Sequence, residues 1–168
     1  PRAFAPRFGA DYVLYLSSKG AGDGLWKSKH GAVSELSAGP VMGGVALSPD
    51  GRLVCFAFRK EGRLKLYLMD ADGTEVRVLA PSLDIRGTPS WSPDGKWIAV
   101  AAIQQDGSRL FKVPIDGGQP VRITQGVADN PVWSPDGSLI VYAEPIASST
   151  YPIRAVTPEG TPRPLPDL

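Results

Sequence analysis

The chain has 168 residues, with 18 Lys and Arg against 17 Asp and Glu, so its formal net charge of +1 gives no reason to expect nucleic acid or an anionic membrane as a partner. This length is enough for one domain that buries roughly two-thirds of its unfolded surface, and no apolar run approaches the roughly 18 residues of a membrane span. A single cysteine excludes an internal disulfide, and one cysteine with one histidine excludes a zinc site.

The chain opens on a degenerate unit and then repeats one turn three times. Residues 4–9 take the turn position of the first unit, and an apolar strand follows over residues 12–16. The tetrapeptide Ser-Pro-Asp-Gly then occurs at residues 48–51, 92–95 and 134–137, with a period of roughly 43 residues, and each copy precedes an apolar run. Serine first, proline second and glycine fourth are the preferences of a type I β-turn. The pattern predicts a turn that leads into a buried strand.

A second turn signal keeps the same period. A polar residue followed by glycine, a pair typical of hairpin turns, occurs with its glycine at Gly31, Gly73, Gly117 and Gly160. Together the two signals predict four short strands in each complete unit. These are residues 44–47, 53–58, 64–69 and 75–79 in the second unit, 88–91, 97–103, 109–115 and 120–124 in the third, and 131–133, 139–144, 151–156 and 161–165 in the fourth.

The fold class follows from these units. No segment keeps the 3.6-residue apolar period of a helix. Four antiparallel strands in a unit of about 40–45 residues are the signature of a β-propeller blade. We therefore predict an all-β chain that forms one partial β-propeller domain over residues 1–168. Its four four-stranded blades are expected at approximately residues 1–39, 40–83, 84–126 and 127–168.

The repeat also resembles that of a known family. Trp-Ser-Pro-Asp-Gly before an apolar strand, complete at residues 91–95 and 133–137, resembles the repeat of TolB-like, WD-repeat-like β-propellers. In the second unit Leu47 replaces the tryptophan. The resemblance implies six to eight blades, so four units indicate part of a larger propeller in a bacterial multidomain protein, or two copies that meet at their exposed terminal blades. It also favours a periplasmic or other extracytoplasmic location over a cytoplasmic one.

The residues offer no catalytic, cofactor or metal site, so we do not expect an enzyme. His30 lies at a predicted hairpin turn, and no Gly-x-Ser-x-Gly motif occurs. Cys55 lies at the centre of an apolar strand and is interpreted as a small buried hydrophobe. The acidic stretch at residues 70–75 suggests a calcium loop, but its glycine turn recurs elsewhere without the ligands, which favours a hairpin.

The tryptophans have a structural interpretation. Trp91 and Trp133 precede the repeated turn at equivalent positions, which favours packing between blades over a stacking platform for sugars or bases. Trp26 departs from this pattern and is expected to be partly exposed.

The remaining candidate site is the propeller rim. The connections between units and the loops that join second to third strands share one end of the blades. Arg86, Asp129 and Asn130 come just before the innermost strands, where side chains can reach the mouth of the central channel. We interpret them as candidate contacts to a protein partner or a small ligand, and the alternative is that they are solvated loop ends.

These observations favour a non-catalytic propeller module for protein or ligand binding or sensing in a larger bacterial protein, associated with a kinase or regulator or of the Tol type. The alternative is the gating propeller of a serine peptidase whose catalytic domain lies outside this chain. The expected partner is a protein or small ligand at the rim, or a second copy of the chain, with no nucleic acid, no cofactor and no membrane span.

Overall fold

The computed structural model describes residues 3–19, 22–38, 41–145 and 151–165, which form sixteen β-strands and no helix. The strands make four antiparallel sheets of four strands, each ordered as in the chain. The first two sheets contain β1 (Ala3–Phe8), β2 (Tyr12–Lys19), β3 (Gly22–Lys29), β4 (Ala32–Ala38), β5 (Val41–Leu47), β6 (Leu53–Lys60), β7 (Arg63–Asp70) and β8 (Arg77–Leu79). The last two contain β9 (Ile85–Trp91), β10 (Trp97–Gln104), β11 (Gly107–Pro114), β12 (Val121–Arg122), β13 (Asp129–Trp133), β14 (Ile140–Ala143), β15 (Ile153–Val156) and β16 (Pro162–Arg163).

The four sheets are β-propeller blades, which confirms the predicted fold class. The first strands of successive sheets, β1, β5, β9 and β13, lie side by side and form the inner wall. The middle strands pair without interruption, as from Trp97 opposite Pro114 to Gln104 opposite Gly107. Each inner strand instead carries an irregularity in its pairing, which bends it. Each sheet falls within one of the four residue ranges expected for a blade.

The core lies between the blades, and this explains why the second strand of each blade is apolar on both faces. In β6, Val54 and Phe56 pack toward the first blade, whereas Cys55 and Ala57 pack toward the third. Side chains alternate across a strand. The central part of a second strand between two neighbouring blades is therefore apolar on both faces. We call the interface containing Cys55 and Ala57 the blade 2–3 seam. The next interface, which contains Ala99 opposite Trp133 and Ile140, is the blade 3–4 seam.

The three Ser-Pro-Asp-Gly turns have the same hydrogen bonds, and the i to i+3 bond confirms the predicted turn. In the third blade the Gly95 N–H donates to the Ser92 carbonyl at 2.9 Å. Ser92 Oγ donates to Asp94 Oδ1 at 2.6 Å and accepts the Trp97 N–H at 2.9 Å. Gly95 has φ +70°, a left-handed conformation that favours glycine. The turn therefore ties the end of the inner strand to the start of the next one.

The predicted turn over residues 4–9 is wrong, because these residues belong mainly to β1. This strand pairs with β2 through Phe8 opposite Val13, and its pairing is irregular between Phe4 and Arg7. Pro6 is tolerated there because an inner strand is the edge of its sheet and has a hydrogen-bonded partner on one side only. The predicted outer strands over residues 120–124 and 161–165 are also shorter than expected, with two residues each.

The two terminal blades expose apolar side chains. On the outer face of the fourth blade, Val132 lies opposite Val141, and Ile153 lies opposite Ala143. Val132 and Ile153 are 59% and 52% exposed. At the other end, Phe8 of β1 is 76% exposed. Equivalent faces of the inner blades are covered by a neighbouring blade.

Candidate functional site

Arg86 and Asp129 form an ion pair across the blade 3–4 seam. Arg86 lies opposite Ala101 in the third blade, and Asp129 lies opposite Ala143, so the two occupy matching places at the start of successive inner strands. The distance from Arg86 Nε to Asp129 Oδ2 is 3.2 Å. Both residues lie within strands β9 and β13, whereas the sequence analysis placed them just before the strands.

The two partners differ in burial. The Arg86 side chain is 60% exposed, whereas that of Asp129 is 9% exposed, and Asp129 Oδ1 is buried without a hydrogen-bond partner. A buried carboxylate with one unpaired oxygen is costly, so the arginine is held over it. The ion pair uses Nε, and the Nη groups of this exposed side chain remain available to an acceptor on a ligand. The pair is neutral overall, but it holds an exposed guanidinium at the rim end of β9 and β13.

Asn130 follows Asp129 in β13, and its side chain approaches Gly87, the residue after Arg86 in β9. The φ of +51° at Asn130 places it in the left-handed region, where asparagine is one of the favoured non-glycine residues. Its Oδ1 lies so close to Gly87 that a Cβ there would be 2.6 Å away, and Gly87 itself has φ +71°. The structure thus brings together all three side chains selected from the sequence.

A groove of about 710 Å³ lies along the inner wall; Asn130 lines it, and Arg86 and Asp129 do not. All four inner strands line it, from Arg7 and Phe8 at one side to Val132 at the other. Thr88 and Ser90 place hydroxyl groups along its middle. Ser90 Oγ accepts a hydrogen bond from the backbone N–H of Trp133 at 3.1 Å. The sequence analysis missed this groove. The alternation of Thr88 and Ser90 with apolar neighbours was its only local sign.

The rim loops meet as the sequence predicted. The connection after the second blade contacts both neighbouring loops through Asp84, whose carboxylate accepts the Leu64 N–H at 2.9 Å and whose carbonyl accepts the Ile103 N–H at 2.8 Å. The connection between the third and fourth blades contacts the loop between β10 and β11, because the Ala128 N–H donates to the Ser108 carbonyl at 3.1 Å. These loops therefore fix the same end of the blades that carries Arg86.

One buried arginine at this end was also missed. Arg109 is 4% exposed, and its guanidinium pairs with Asp106 and with the Ser108 carbonyl. Its Nε is buried without a hydrogen-bond partner. These contacts hold the Arg109 side chain against its own hairpin, so we interpret Arg109 as a residue that stabilises the rim loop.

The other candidates have the structural positions that the sequence analysis favoured. Cys55 is fully buried, and burial raises the pKa of its thiol well above the usual range. His30 is exposed in the turn between β3 and β4, with φ +48°. Asp72 accepts bonds from the N–H and hydroxyl of Thr74, which is hairpin geometry.

Neither a metal-ligand cluster nor a membrane-spanning helix occurs in the described ranges. Within them, no group of three or more His, Cys, Asp or Glu side chains is placed to hold a metal ion. No helix that is long and apolar enough to cross a membrane was found in the same residues.

Trp91 and Trp133 pack between blades, and Trp26 is half-buried. Trp91 is 8% exposed, and its indole N–H donates to the Ala46 carbonyl of the preceding blade at 3.1 Å. Trp133 is 9% exposed, and its indole N–H is buried without a hydrogen-bond partner. The two equivalent residues therefore share a packing role but differ in hydrogen bonding.

Comparison with known proteins gives relatives of two kinds. The chain is 35% identical over 92 residues to a protein described as a TolB homolog from Chlorobaculum tepidum, which covers 54% of this chain and 21% of that protein. It is 27% identical over 113 residues to dipeptidyl-peptidase 5 of Porphyromonas endodontalis, which covers 62% of this chain and 16% of the peptidase. The chain thus spans only about a fifth of the length of these relatives.

Solved structures agree on the fold. TolB from Acinetobacter baumannii superposes with a TM-score of 0.80 at 20% identity, over 93% of this chain and 41% of that one. The family described as TolB beta propeller domain matches residues 28–158. With four blades of the matching architecture and a match over most of its length, the chain belongs to the TolB β-propeller domain family.

Proposed function

We propose that this TolB-type propeller chain is a non-catalytic module that binds a protein partner through the inner-wall groove and its Arg86 end. The observation that carries the proposal is the Arg86–Asp129 pair, in which a buried carboxylate anchors an exposed guanidinium beside an open groove. An arginine held in place loses less conformational entropy on binding than a free one. The site is therefore prepared for a ligand before the ligand arrives.

The groove and the pair together define the chemistry of the partner. Arg86 suits a carboxylate, because a guanidinium binds that group through parallel N–H bonds. Phe8 and Val132 are exposed along the groove and suit apolar side chains. Thr88 and Ser90 offer hydroxyl groups to a main chain. A polypeptide segment with an acidic residue followed by apolar residues fits all three features.

Site-specific crosslinking tests this proposal. A photoreactive amino acid at Val132, which lines the groove and also lies on the outer face of the fourth blade, should capture the partner in the bacterial source. The same probe at Ile153, on that outer face outside the groove, should not. The same probe at Val33, which is also more than half exposed but lies in β4, is the matched control. Combining the Val132 probe with Arg86→Glu should abolish the adduct. Equal adducts from Val132 and either control position, or an adduct that persists with Arg86→Glu, would contradict the proposal.

A second candidate function is the gating propeller of a serine peptidase. The similarity to dipeptidyl-peptidase 5 over 62% of the chain is the observation that favours it. The full-length gene product distinguishes the two candidates. Under the first proposal it does not hydrolyse dipeptidyl nitroanilides, and under the second it does so through a serine outside this chain. Hydrolysis that is sensitive to a serine-directed inhibitor would reverse our ranking.

Two further properties belong to the proposal. The similarity to relatives named as Tol-Pal system proteins supports a location outside the cytoplasm, and a fusion of the full gene product to alkaline phosphatase, which is active only there, tests it. The apolar outer faces support association through the terminal blades. Ile153→Lys should then lower the average mass measured by light scattering, whereas Val78→Lys on β8 should not.

A further inference from the structure

A second cavity lies at the opposite end of the blades from Arg86. It has a volume of about 500 Å³ and opens between the Ser-Pro-Asp-Gly turns of the third and fourth blades. Because adjacent strands are antiparallel, these turns and the rim loops are at opposite ends of each sheet. Its chemically distinctive lining residues are Asp94, Trp97, Lys112, Trp133, Asp136 and Glu159.

The charge of the cavity is negative. Three carboxylates line it against one ammonium group, that of Lys112. The hydrogen bond from Ser92 lowers the pKa of Asp94, and that from Ser134 lowers the pKa of Asp136 to about 2. Both carboxylates are therefore charged at neutral pH. Lys96, outside the lining, also interacts with Asp94, so the three carboxylates exceed the nearby lysines by one charge and attract a cation that enters.

The cavity also presents an aromatic surface to a cation. Trp97 is half-buried, and Lys112 Nζ lies 5.0 Å from the centroid of its ring. This distance is within the range of cation–π attraction, for which tryptophan is the best side chain. The protein's own lysine thus shows that the ring accepts a positive charge.

Trp133 adds an unused hydrogen-bond donor. Its indole N–H is buried without a partner, whereas the equivalent N–H of Trp91 donates to the Ala46 carbonyl. An unpaired buried donor costs about 1–3 kcal/mol, and the indole nitrogen is closed to solvent, so a ligand gains this energy only if its entry moves the ring. The cavity therefore presents anionic groups and an aromatic ring, with the unpaired indole nitrogen buried behind its wall.

The equivalent place in the blade 2–3 seam has two carboxylates, Asp50 and Asp94, but neither the aromatic lining nor the unpaired indole N–H. The cavity there is about 220 Å³, and Leu53 stands where the next blade has Trp97. Ile115 closes one side of it, and Arg77 donates to the Ile115 carbonyl. The larger cavity is thus particular to the blade 3–4 seam and is not a general consequence of the repeat.

We infer that this cavity binds a basic residue of a peptide, with its guanidinium or ammonium group against Trp97 among the carboxylates. Arginine fits best, because its planar group stacks on an aromatic ring and pairs with a carboxylate at once. This site goes beyond the proposed function, since it lies at the other end of the blades and uses none of the same residues.

Binding of a small peptide analogue to the whole chain tests the inference. Nα-acetyl-arginine methylamide should bind saturably and shift the indole N–H resonance of Trp133 in NMR spectra. Nα-acetyl-citrulline methylamide has the same shape without the charge and should bind at least about tenfold more weakly. Equal affinity for the two probes, or no saturable binding of the arginine probe, would overturn the inference.

Substitutions taken from the repeat itself sharpen the test. Trp97→Leu introduces the residue that the second blade carries at Leu53, and it should weaken arginine binding about five- to tenfold. Lys112→Leu removes the competing cation and should strengthen binding, which a general loss of structure could not do. Glu159→Gln should weaken binding while Glu75→Gln, in the matching turn of the second blade, should not. Unchanged affinity in Trp97→Leu and Lys112→Leu would exclude the site.

Discussion

The blade 2–3 seam and the blade 3–4 seam share the same turn but differ in what stands beside it. In both, the glycine of one turn packs near the proline of the preceding turn: a Cβ on Gly95 would lie 3.9 Å from Pro49, and one on Gly137 would lie 3.6 Å from Pro93. In the first seam the tryptophan indole is hydrogen-bonded and the cavity is small. In the second the equivalent indole has no partner and the cavity is more than twice as large.

This difference shows which parts of a repeat protein carry information beyond the fold. The turn hydrogen bonds and the apolar second strand are the same in both seams. These features therefore determine the blade fold and nothing more specific. The positions that vary between seams, such as Leu53 and Trp97, decide whether the interface is closed or open. Candidate functional residues are therefore best sought where one blade departs from its neighbours.

The inner wall of the blade 2–3 seam should be the most sensitive point. A Cβ on Gly44 would lie about 2.0 Å from Thr88 Oγ1, a distance that no real pair of atoms adopts. Gly44→Ala should therefore destabilise the chain by about 2–3 kcal/mol through overpacking, measured by urea unfolding. The double substitution with Thr88→Ala should recover most of that loss.

Gly87, the glycine that approaches the next inner strand in the blade 3–4 seam, should not be rescued in this way. A Cβ on Gly87 would also approach its neighbour, at 2.6 Å from Asn130 Oδ1, but Gly87 has φ +71° in addition. Gly87→Ala with Asn130→Ala relieves the contact and leaves the backbone strain of roughly 1 kcal/mol. Full rescue in both seams, or in neither, would contradict this account.

Much of the fold could be predicted because its determinants are local. Ser92, Asp94 and Gly95 make the turn from their own hydrogen bonds and φ, so the sequence shows it directly. The degenerate first blade was misread because Pro6 signals a turn, and only the position of β1 at the edge of a sheet makes a strand acceptable. Edge position is a tertiary property that the local sequence does not contain.

The two seam tryptophans should respond differently to removal of the indole nitrogen. Trp91→Phe loses the bond to the Ala46 carbonyl and leaves that acceptor unpaired, which should cost about 2 kcal/mol with the lost ring volume. Trp133→Phe also loses ring volume, but it removes a buried donor that has no acceptor. The second effect offsets the first, so the net cost should stay below about 1 kcal/mol. Urea unfolding of the two variants under identical conditions measures the difference, and equal losses would show that Trp133 has an acceptor.

The candidate sites were predictable only in part. Arg86, Asp129 and Asn130 were found because blade topology places them at one end of adjacent inner strands. The groove and the second cavity were not found, since their walls come from several blades and depend on gaps between side chains. The interpretation of Trp133 as packing accounts for its burial, but its unpaired N–H depends on atomic distances that the sequence does not encode.

The smallest expected effect is on the acid stability of the exposed turn in the fourth blade. Hydrogen bonds from Ser134 and Ser138 lower the pKa of Asp136 from 3.8 to about 2 in the folded chain. Because the folded pKa lies below the unfolded one, the charged carboxylate stabilises the fold, fully above about pH 4 and progressively less as the pH falls toward 2. The free energy of unfolding should therefore fall with acid in this window, and Asp136→Asn should flatten that slope.

Asp94→Asn in the third blade provides the comparison for this measurement. Its pKa is lowered by the equivalent serine bond, but the third blade has Lys96 where the fourth has Ser138, so Asp94 lacks the second hydroxyl donor. The flattening should consequently be smaller than for Asp136→Asn. A larger effect at Asp94 would mean that the lysine, through its charge, determines the acid response more than the serine hydroxyls do. The two turns would then differ in electrostatics although they border the same cavity.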